Sequence, residues 1–593
     1  MPKQTSRIFH ILLMLFFAAA ILILLFRIPF GVDVTDISFW TAEPYLITQG
    51  AISYVNNWSQ TPLTSLMIAP FVWLFATVTG GTEGIMFFMF SLSFFFRLAV
   101  PVLIWLLLRR SLEPTWAAVF CILFFVYDYG SNRYLNYNFL SQGLLALGGA
   151  LLWNALEQEN SRAAAVRYAW AGLVMALCAL SQVTQIVNCL LFAVFLLVLE
   201  RRRWKGLPCW FPYVLSGLAV AATVIIGLEW AGGGGLFSGI QLDLAENNYF
   251  RIPHMSFTEQ LHRIIWNFYY TVRFVCFPFF GILTLYLLTF HSRGRHVIPS
   301  GFICALVGSC GCYFLFLARS YFLSFQSAAT VFVGAQPQIF LLFLTALVLF
   351  FFLPQREQRQ LLPGFLFFCC SGFVSILLSA SASHSPADYR FSLLSSGALF
   401  AIPLAAAAFQ IRGLDSPFPA KIHKALLLFL AVSVAACSLS MEYAYVYRDD
   451  PIPLLTCRVE EGVYRGLYTT PERAAALQNL EKEIRARTSS DETVLFADLM
   501  PMAYLMTNAR HCTPTTWDPC HYRYGFQDDT LYQSYFKKTG QTPDKIFFIQ
   551  SEGNPLSIDD PENAFAAWVR ENYTLAETVG EGRFSFRLFI KNQ

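Results

Sequence analysis

Apolar runs of about twenty residues recur along this 593-residue chain, most of them closed by arginine or lysine. A run of that length matches the hydrocarbon thickness of a bilayer. Inside lipid every backbone N–H and C=O must be satisfied within the protein, so the segments have to be helices or a closed barrel. Most of the chain is therefore expected to be a bundle of membrane helices. Composition agrees: 56% of residues are hydrophobic, 17% aromatic and 13% charged, with 59 Phe and a mean hydropathy of +0.50. A charged fraction about half that of an ordinary soluble domain excludes a soluble enzyme, and collagen-like, disordered and small disulfide-rich classes fall with it.

Lys and Arg near the ends of spans mark the cytoplasmic side. Lys3 and Arg7 precede the first run, residues 8–30, which lacks a small-residue cleavage site and reads as a retained anchor. Arg109 and Arg110, Arg162 and Arg167, the basic cluster at 201–205, Arg293 and Arg295, Arg356 and Arg359, then Arg412, Lys421 and Lys424 continue the series. Successive clusters are separated by two apolar spans, which predicts about thirteen crossings, a cytoplasmic N-terminus and an external C-terminus at the plasma membrane of a bacterium-like cell. Parity makes the run at 62–76 a re-entrant or surface helix. The run at 170–199 reads as a hairpin whose outer turn carries Ser181, Gln182, Thr184 and Gln185.

Hydropathy falls near residue 443, dividing the chain into a membrane domain, 1–441, with its first external loop at 31–61, and an external domain, 442–593. The latter holds 22 of the 38 acidic and 16 of the 41 basic residues, a balance of −6 that leaves +9 on the membrane part. Without a basic run there is no footprint for nucleic acid. Helical patterns at 471–487 and 561–571 and strand patterns at 494–497, 545–549 and 585–590 predict a small α/β fold. The 14 Cys show no CxxC zinc spacing; Cys512 and Cys520 are equally compatible with a disulfide and with free thiols.

Polar residues at the external ends of spans are the candidates for chemistry, since ionisable groups at a membrane are costly unless used or solvated. The first loop, GVDVTDISFWTAEPYLITQGAISYVNNWSQTPLTSLMIAPF, offers Asp33, Asp36 and Glu43; the first two are spaced to share one face of a helical turn. YDYGSNRYLNYN offers Asp128 and Arg133, and ASHSPADYRF offers His384, Asp388 and Arg390 beside Tyr389. Arg97 sits in mid-span, where it must find a partner, snorkel or meet a lipid phosphate. Arg319 is a weaker candidate, and His254, His262 and His384 are loop histidines that seldom gather a metal. Gly232–Gly235 has no strand and helix around it to make a phosphate loop and reads as a flexible hinge; the amphipathic stretch after it, with His262 and Arg263, reads as a surface helix. Asn57-Trp58-Ser59 and Asn572-Tyr573-Thr574 match the glycosylation pattern, which is common by chance.

The order of features between Asp36 and Arg203 resembles the GT-C superfamily of membrane glycosyltransferases, in particular bacterial relatives of the protein O-mannosyltransferases and the lipid A aminoarabinose transferase. The resemblance lies in Asp36, the stretch Tyr45 to Gly50, the Pro62-Leu63 helix start and mid-span Arg97 before a double-basic turn. Tyr137-Asn138, Ala171-Gly172-Leu173 and the polar turn SQVTQ continue it, and a large C-terminal domain fits. It covers about the first 200 residues in sequence and the remainder in architecture.

The resemblance implies a sugar leaving a polyprenyl phosphate with inversion, onto a glycan, lipid or protein acceptor on the external face. It makes Asp36 the base, with Asp33 as runner-up, and Asp128 a second acidic residue near the site. Ile37 stands where the family commonly has the second residue of an Asp-Glu pair. The resemblance leaves a divalent cation open, because acidic pairs in the superfamily hold one in some members and not in others. Arg390, Arg133, Arg97 and His384 are the residues expected to bind substrate. Two other classes stay open: a transporter or flippase of a lipid-linked substrate, and a silent scaffold with this fold. Clustering of ionisable residues at external ends, with no internal repeat, favours surface chemistry over transport.

Overall fold

The computed structural model describes residues 3–59, 61–127, 134–200, 210–246, 258, 262, 265–266, 300–324, 328–381, 393–410, 419–517, 531–550, 556–580 and 584–592. Among these, nine helices are long and apolar enough to cross a membrane, and four shorter apolar helices accompany them. The chain is a multi-pass membrane protein with a C-terminal mixed-sheet domain.

The first half runs α1 (Lys3–Arg27), α2 (Asp36–Thr48), α3 (Pro62–Thr79), α4 (Ile85–Leu108), α5 (Pro114–Val126), α6 (Tyr137–Leu156), α7 (Ser161–Ser181), α8 (Ile186–Leu199), α9 (Phe211–Ala231) and α10 (Leu236–Glu246). Helix starts follow local chemistry. Pro occupies the first turn of α3 and α5, where its missing N–H costs nothing. Asn136 caps α6 by accepting from Phe139 N at 2.8 Å, and Asn160 caps α7 through Arg162 N at 2.9 Å. The apolar stretch of α3 continues past residue 76 to a left-handed Gly80. Its 18 residues satisfy a full span by length and composition, where parity alone reads it as re-entrant. α7 and α8 form the expected hairpin, turning through a short 3-10 segment, Val183–Gln185.

Helix crossings are tightened at glycines. A Cβ on Gly172 of α7 would lie 2.0 Å from the Tyr213 carbonyl oxygen of α9, so the two backbones meet there directly. Residues 232–235 are an ordered tight turn between α9 and α10 and not a flexible hinge. Gly233 and Gly234 take φ of 59° and 87°, and Gly232 and Gly235 close on Val55. Four glycines are used because two need left-handed backbone and two need the space.

Later in the chain, Gln355–Gly364 continues through a π-helical turn, Phe365–Cys370, into Ser371–Ser381. The last apolar helix, Ala420–Ala444, delivers the chain to the sheet domain. Here β1 (Cys457–Arg458) and β2 (Tyr468–Thr469) form a short ladder. β3 (Thr493–Ala497), β4 (Arg510–His511), β5 (Lys545–Ile549), β6 (Tyr573–Val579) and β7 (Phe586–Lys591) form a sheet in the order β4-β3-β5-β7-β6. β3 is parallel to β4 and β5, while β7 is antiparallel to β5 and β6. Helix Pro471–Arg487 carries Leu477, Leu480 and Ile484 into the core, as its spacing predicts.

The two parts are joined through α2, which is buried from Ile37 to Pro44. A helix enclosed on every side, with Ser38, Thr41 and Glu43 among its buried residues, lies between other parts of the protein that supply their partners. Phe39 meets Trp517 at 5.3 Å, Ser38 Oγ and the Tyr464 hydroxyl are 2.6 Å apart, and the Tyr468 N–H donates to Pro29 O at 2.7 Å.

Candidate functional site

Asp36 opens α2, where the partial positive charge of a helix N-terminus favours a carboxylate. Its Oδ2 accepts from the Tyr447 hydroxyl and forms an ion pair with the Arg448 guanidinium at 2.9 Å. The Asp36 side chain is 22% exposed and that of Arg448 32%, so the pair lies at a surface and can be reached. Burial raises the Asp36 carboxyl above its ordinary value, the nearby Arg448 charge opposes this, Asp33 adds to it and the Tyr447 hydroxyl opposes it. Tyr447 keeps its proton, its hydroxyl being pushed well up by burial and by Asp36, and it therefore acts as a donor.

Asp33 has a different place, although it lies only three residues away. It is buried, and its Oδ1 accepts from Thr35 N at 3.1 Å and Thr35 Oγ1 at 2.8 Å, while Oδ2 accepts from Ile37 N at 2.7 Å. These bonds close the first turn of α2 and orient Asp36. The two carboxylates offer no joint cation site, because the oxygens of Asp33 point into this turn and a guanidinium covers Asp36. Among the described residues no group of three His, Cys, Asp or Glu side chains gathers that could hold a metal.

Tyr447 and Arg448 come from the connector after the last apolar helix, 411 residues beyond Asp36 in the case of Tyr447. The connector is held tightly. Asp449 accepts from Val32 N at 2.8 Å and Thr469 Oγ1 at 2.9 Å, and Arg473 donates to Arg448 O at 2.7 Å. Arg448 itself takes φ of 54°, a left-handed conformation that costs a non-glycine residue of order 1 kcal/mol and recurs where a side chain is aimed for function. That conformation turns its guanidinium onto Asp36 and Thr35. Sequence reasoning overlooks both residues; the signal is the dense polar run Tyr447-Arg448-Asp449-Asp450 directly after an apolar span.

The other polar residue of the first loop, Glu43, is fully buried. It accepts from Asn57 Nδ2, from Thr516 N and Oγ1 at 2.7 Å each, and from Thr515 Oγ1 at 3.4 Å. It joins α2 to the sheet domain and has no open side for substrate. Asn57 is buried as well, so its sequon is closed to modification in this fold. Arg97 resolves to protein partners: an ion pair with Glu442 at 2.7 Å, with further donations to Phe125 O at 2.7 Å and Val126 O at 2.8 Å. Arg319 is exposed on helix Ser300–Ser324. Asp128, Arg133, His254, Arg263, His384, Asp388, Arg390 and Cys520 lie outside the described residues; Cys512 is a buried free thiol.

No protein-family model matches the sequence, and no curated protein matches it. Among solved structures, the oligosaccharyltransferase of Archaeoglobus fulgidus tethered to an acceptor peptide with the NVT sequon is similar at 9% identity. The match covers 97% of this chain and 74% of that one, with a TM-score of 0.46. ArnT from Cupriavidus metallidurans bound to undecaprenyl phosphate is similar at 12% identity over 97% of each chain, with a TM-score of 0.41. Its apo form gives 13% and 0.38. At these identities no residue role passes from them to this chain.

Proposed function

We propose that the protein is a membrane glycosyltransferase that moves a sugar from a polyprenyl-phosphate donor to a glycan, lipid or protein acceptor on the external face, with the sheet domain on that side. The observation that carries this reading is Asp36: a reachable carboxylate, held by Tyr447 and Arg448, at the seam between the membrane helices and the sheet domain. In the reaction the acceptor O–H proton passes to the Asp36 carboxylate as the oxygen attacks the anomeric carbon from the face opposite the phosphate. The anomeric C–O bond breaks and its electron pair leaves with the lipid phosphate, inverting the carbon. Arg448 opposes the rise that burial imposes on the Asp36 carboxyl and so favours its ionised form. With Arg97 engaged by Glu442, Arg390 and Arg133 are the candidates for the departing phosphate, since a guanidinium binds it bidentately, and Asp128 and His384 are assigned beside them.

The test uses purified protein in lipid with a panel of radiolabelled polyprenyl-phosphate sugars and acceptor extract. Wild type is expected to transfer one of them, and Asp36→Asn to lose at least 100-fold in rate, the lower range for a positioned base. Asp33→Asn is the contrast: it replaces one of the two acceptor oxygens by an amide NH2 and leaves a buried donor unpaired, which is expected to cost about 1–3 kcal/mol of stability and less of the rate than Asp36→Asn. Full transfer by Asp36→Asn sinks the proposed base. No transfer from any donor by folded protein sinks the transferase reading in favour of transport or a silent scaffold.

A further inference from the structure

Among the described residues, three ion pairs fasten the segment from Glu442 to Asp449 to the rest of the chain, and they differ in how open they are. Arg97 with Glu442 and Arg473 with Asp449 are closed, their side chains no more than 8% exposed. Arg448 with Asp36 is open, at 32% and 22%. Breaking a closed pair strands a buried charge, whereas an exposed pair is worth little and can change partner.

The guanidinium of Arg448 is divided between two groups. Its Nη2 lies 2.9 Å from Asp36 Oδ2, while its Nη1 donates to the Thr35 hydroxyl. A phosphate would accept from both nitrogens at once, the arrangement a guanidinium fork favours. The backbone beneath is fixed: Arg473 donates to Arg448 O at 2.7 Å, and Asp449 accepts from Val32 N at 2.8 Å. The long side chain can therefore swing while its segment stays in place. Tyr447, whose hydroxyl also donates to Asp36 Oδ2, keeps the carboxylate oriented when the guanidinium leaves. Arg448 follows the last apolar helix, which ends at Ala444, and Asp36 follows the first, which ends at Arg27. Both thus stand near the level at which spans leave the hydrocarbon, where lipid phosphates lie.

While the guanidinium stays on Asp36, its charge makes the carboxylate a weaker base; once it leaves, the carboxylate takes a proton more readily. A phosphate leaving the anomeric carbon gains negative charge as that bond breaks, so a guanidinium on it is held more strongly in the transition state. We propose that Arg448 exchanges anions: it rests on Asp36 and moves to the phosphate of the lipid-linked donor when that binds, so that the base is strengthened only with a donor in place. Arg448 thereby joins Arg390 and Arg133 at the phosphate. The inference rests on the transferase reading for the identity of its ligand, whereas the exchange itself needs no turnover.

The experiment measures equilibrium binding of polyprenyl phosphate to the full-length protein in phosphatidylcholine bilayers, with polyprenol and inorganic phosphate as controls. The proteins are wild type, Asp36→Asn, Arg448→Gln, Arg448→Lys and the double variant Asp36→Asn/Arg448→Gln, with Tm recorded for each. Exchange predicts opposite signs from the two partners of one ion pair. Asp36→Asn is expected to bind about threefold more tightly, because no carboxylate competes for the guanidinium, and Arg448→Gln about tenfold more weakly. Arg448→Lys keeps the charge without the fork and is expected to fall between Arg448→Gln and wild type. The double variant is expected to bind as weakly as Arg448→Gln. A purely structural tie predicts a lowered Tm in both single variants and no gain in Asp36→Asn. That lack of gain, undiminished binding by Arg448→Gln, or a gain that survives in the double variant and so reflects charge repulsion alone, overturns the proposal. Inorganic phosphate or polyprenol bound as tightly as polyprenyl phosphate overturns it as well. The expected pattern without turnover of any sugar donor by the wild type refutes the transferase reading alone.

Discussion

Asp36 is held between two opposing influences, burial and the charge of Arg448. Burial outweighs Arg448, so the folded carboxyl stays above the ordinary aspartate value of about 3.9. A base acts when deprotonated, so the acidic limb of the rate profile is expected above that pH. Because Arg448 lowers the value, Arg448→Ala is expected to move the limb to higher pH, which a rate profile of wild type and variant reads directly. A limb that stays in place, or moves down, removes Arg448 from the role of charge partner. For stability the sign is opposite: folding raises this carboxyl, so the folded state binds the proton more tightly. Stability therefore falls as pH climbs from the unfolded value to the folded one. Asp33 and Asp36 are equivalent as letters in a sequence. Only the start of α2 between them makes one a cap and the other a reachable acid.

At the scale of elements, backbone proximity decides more than side-chain identity. Gly172→Ala would drive a Cβ onto the Tyr213 carbonyl and is expected to part α7 from α9, lowering the yield of monodisperse protein on size exclusion. Gly227→Ala, with nothing within 4 Å, is the control and is expected to behave as wild type or slightly better, because alanine favours a helix. Equal loss in both would mean that the loss does not come from the α7–α9 contact at Gly172. The sequence made such elements legible where periodicity was strong. The spans, the 471–487 helix and strands β3, β5 and β7 follow from patterns alone. β6 was hidden because, as an edge strand, it is exposed on both faces from Thr574 to Thr578 and shows no alternation. β4 was hidden because it is two residues long. The carboxylate of the candidate site was readable from its loop, whereas Tyr447 and Arg448 were not. No local rule says that a connector will fold back onto a helix more than four hundred residues earlier.

For the whole molecule, Glu43 is the tie between membrane bundle and sheet domain. Burial raises its carboxyl, opposed by hydrogen bonds from Thr516, Asn57 and Thr515. Glu43→Ala leaves those donors buried and unpaired, at about 1–3 kcal/mol. The expected result is faster proteolytic cleavage at 513–517 and a lower Tm, with the spans still inserted. An unchanged cleavage rate would show that the Trp517–Phe39 contact and the Tyr464 bonds hold the domain alone.

The distance in sequence between Asp36 and Tyr447 also governs when the protein can first act. Helices enter the bilayer in the order of synthesis, so α1 and α4 wait in the membrane while the intervening chain is made. Arg27 reaches the carbonyls of Glu442 and Tyr445, and Arg97 reaches the Glu442 carboxylate, so both arginines wait for the same late arrival. A partly made chain, or one truncated before residue 442, carries the spans that precede Glu442 yet leaves Arg97 without that carboxylate and Arg27 without those two carbonyls. The same late segment that brings these partners also brings Tyr447 and Arg448 to Asp36, so the bundle and its candidate site are completed together.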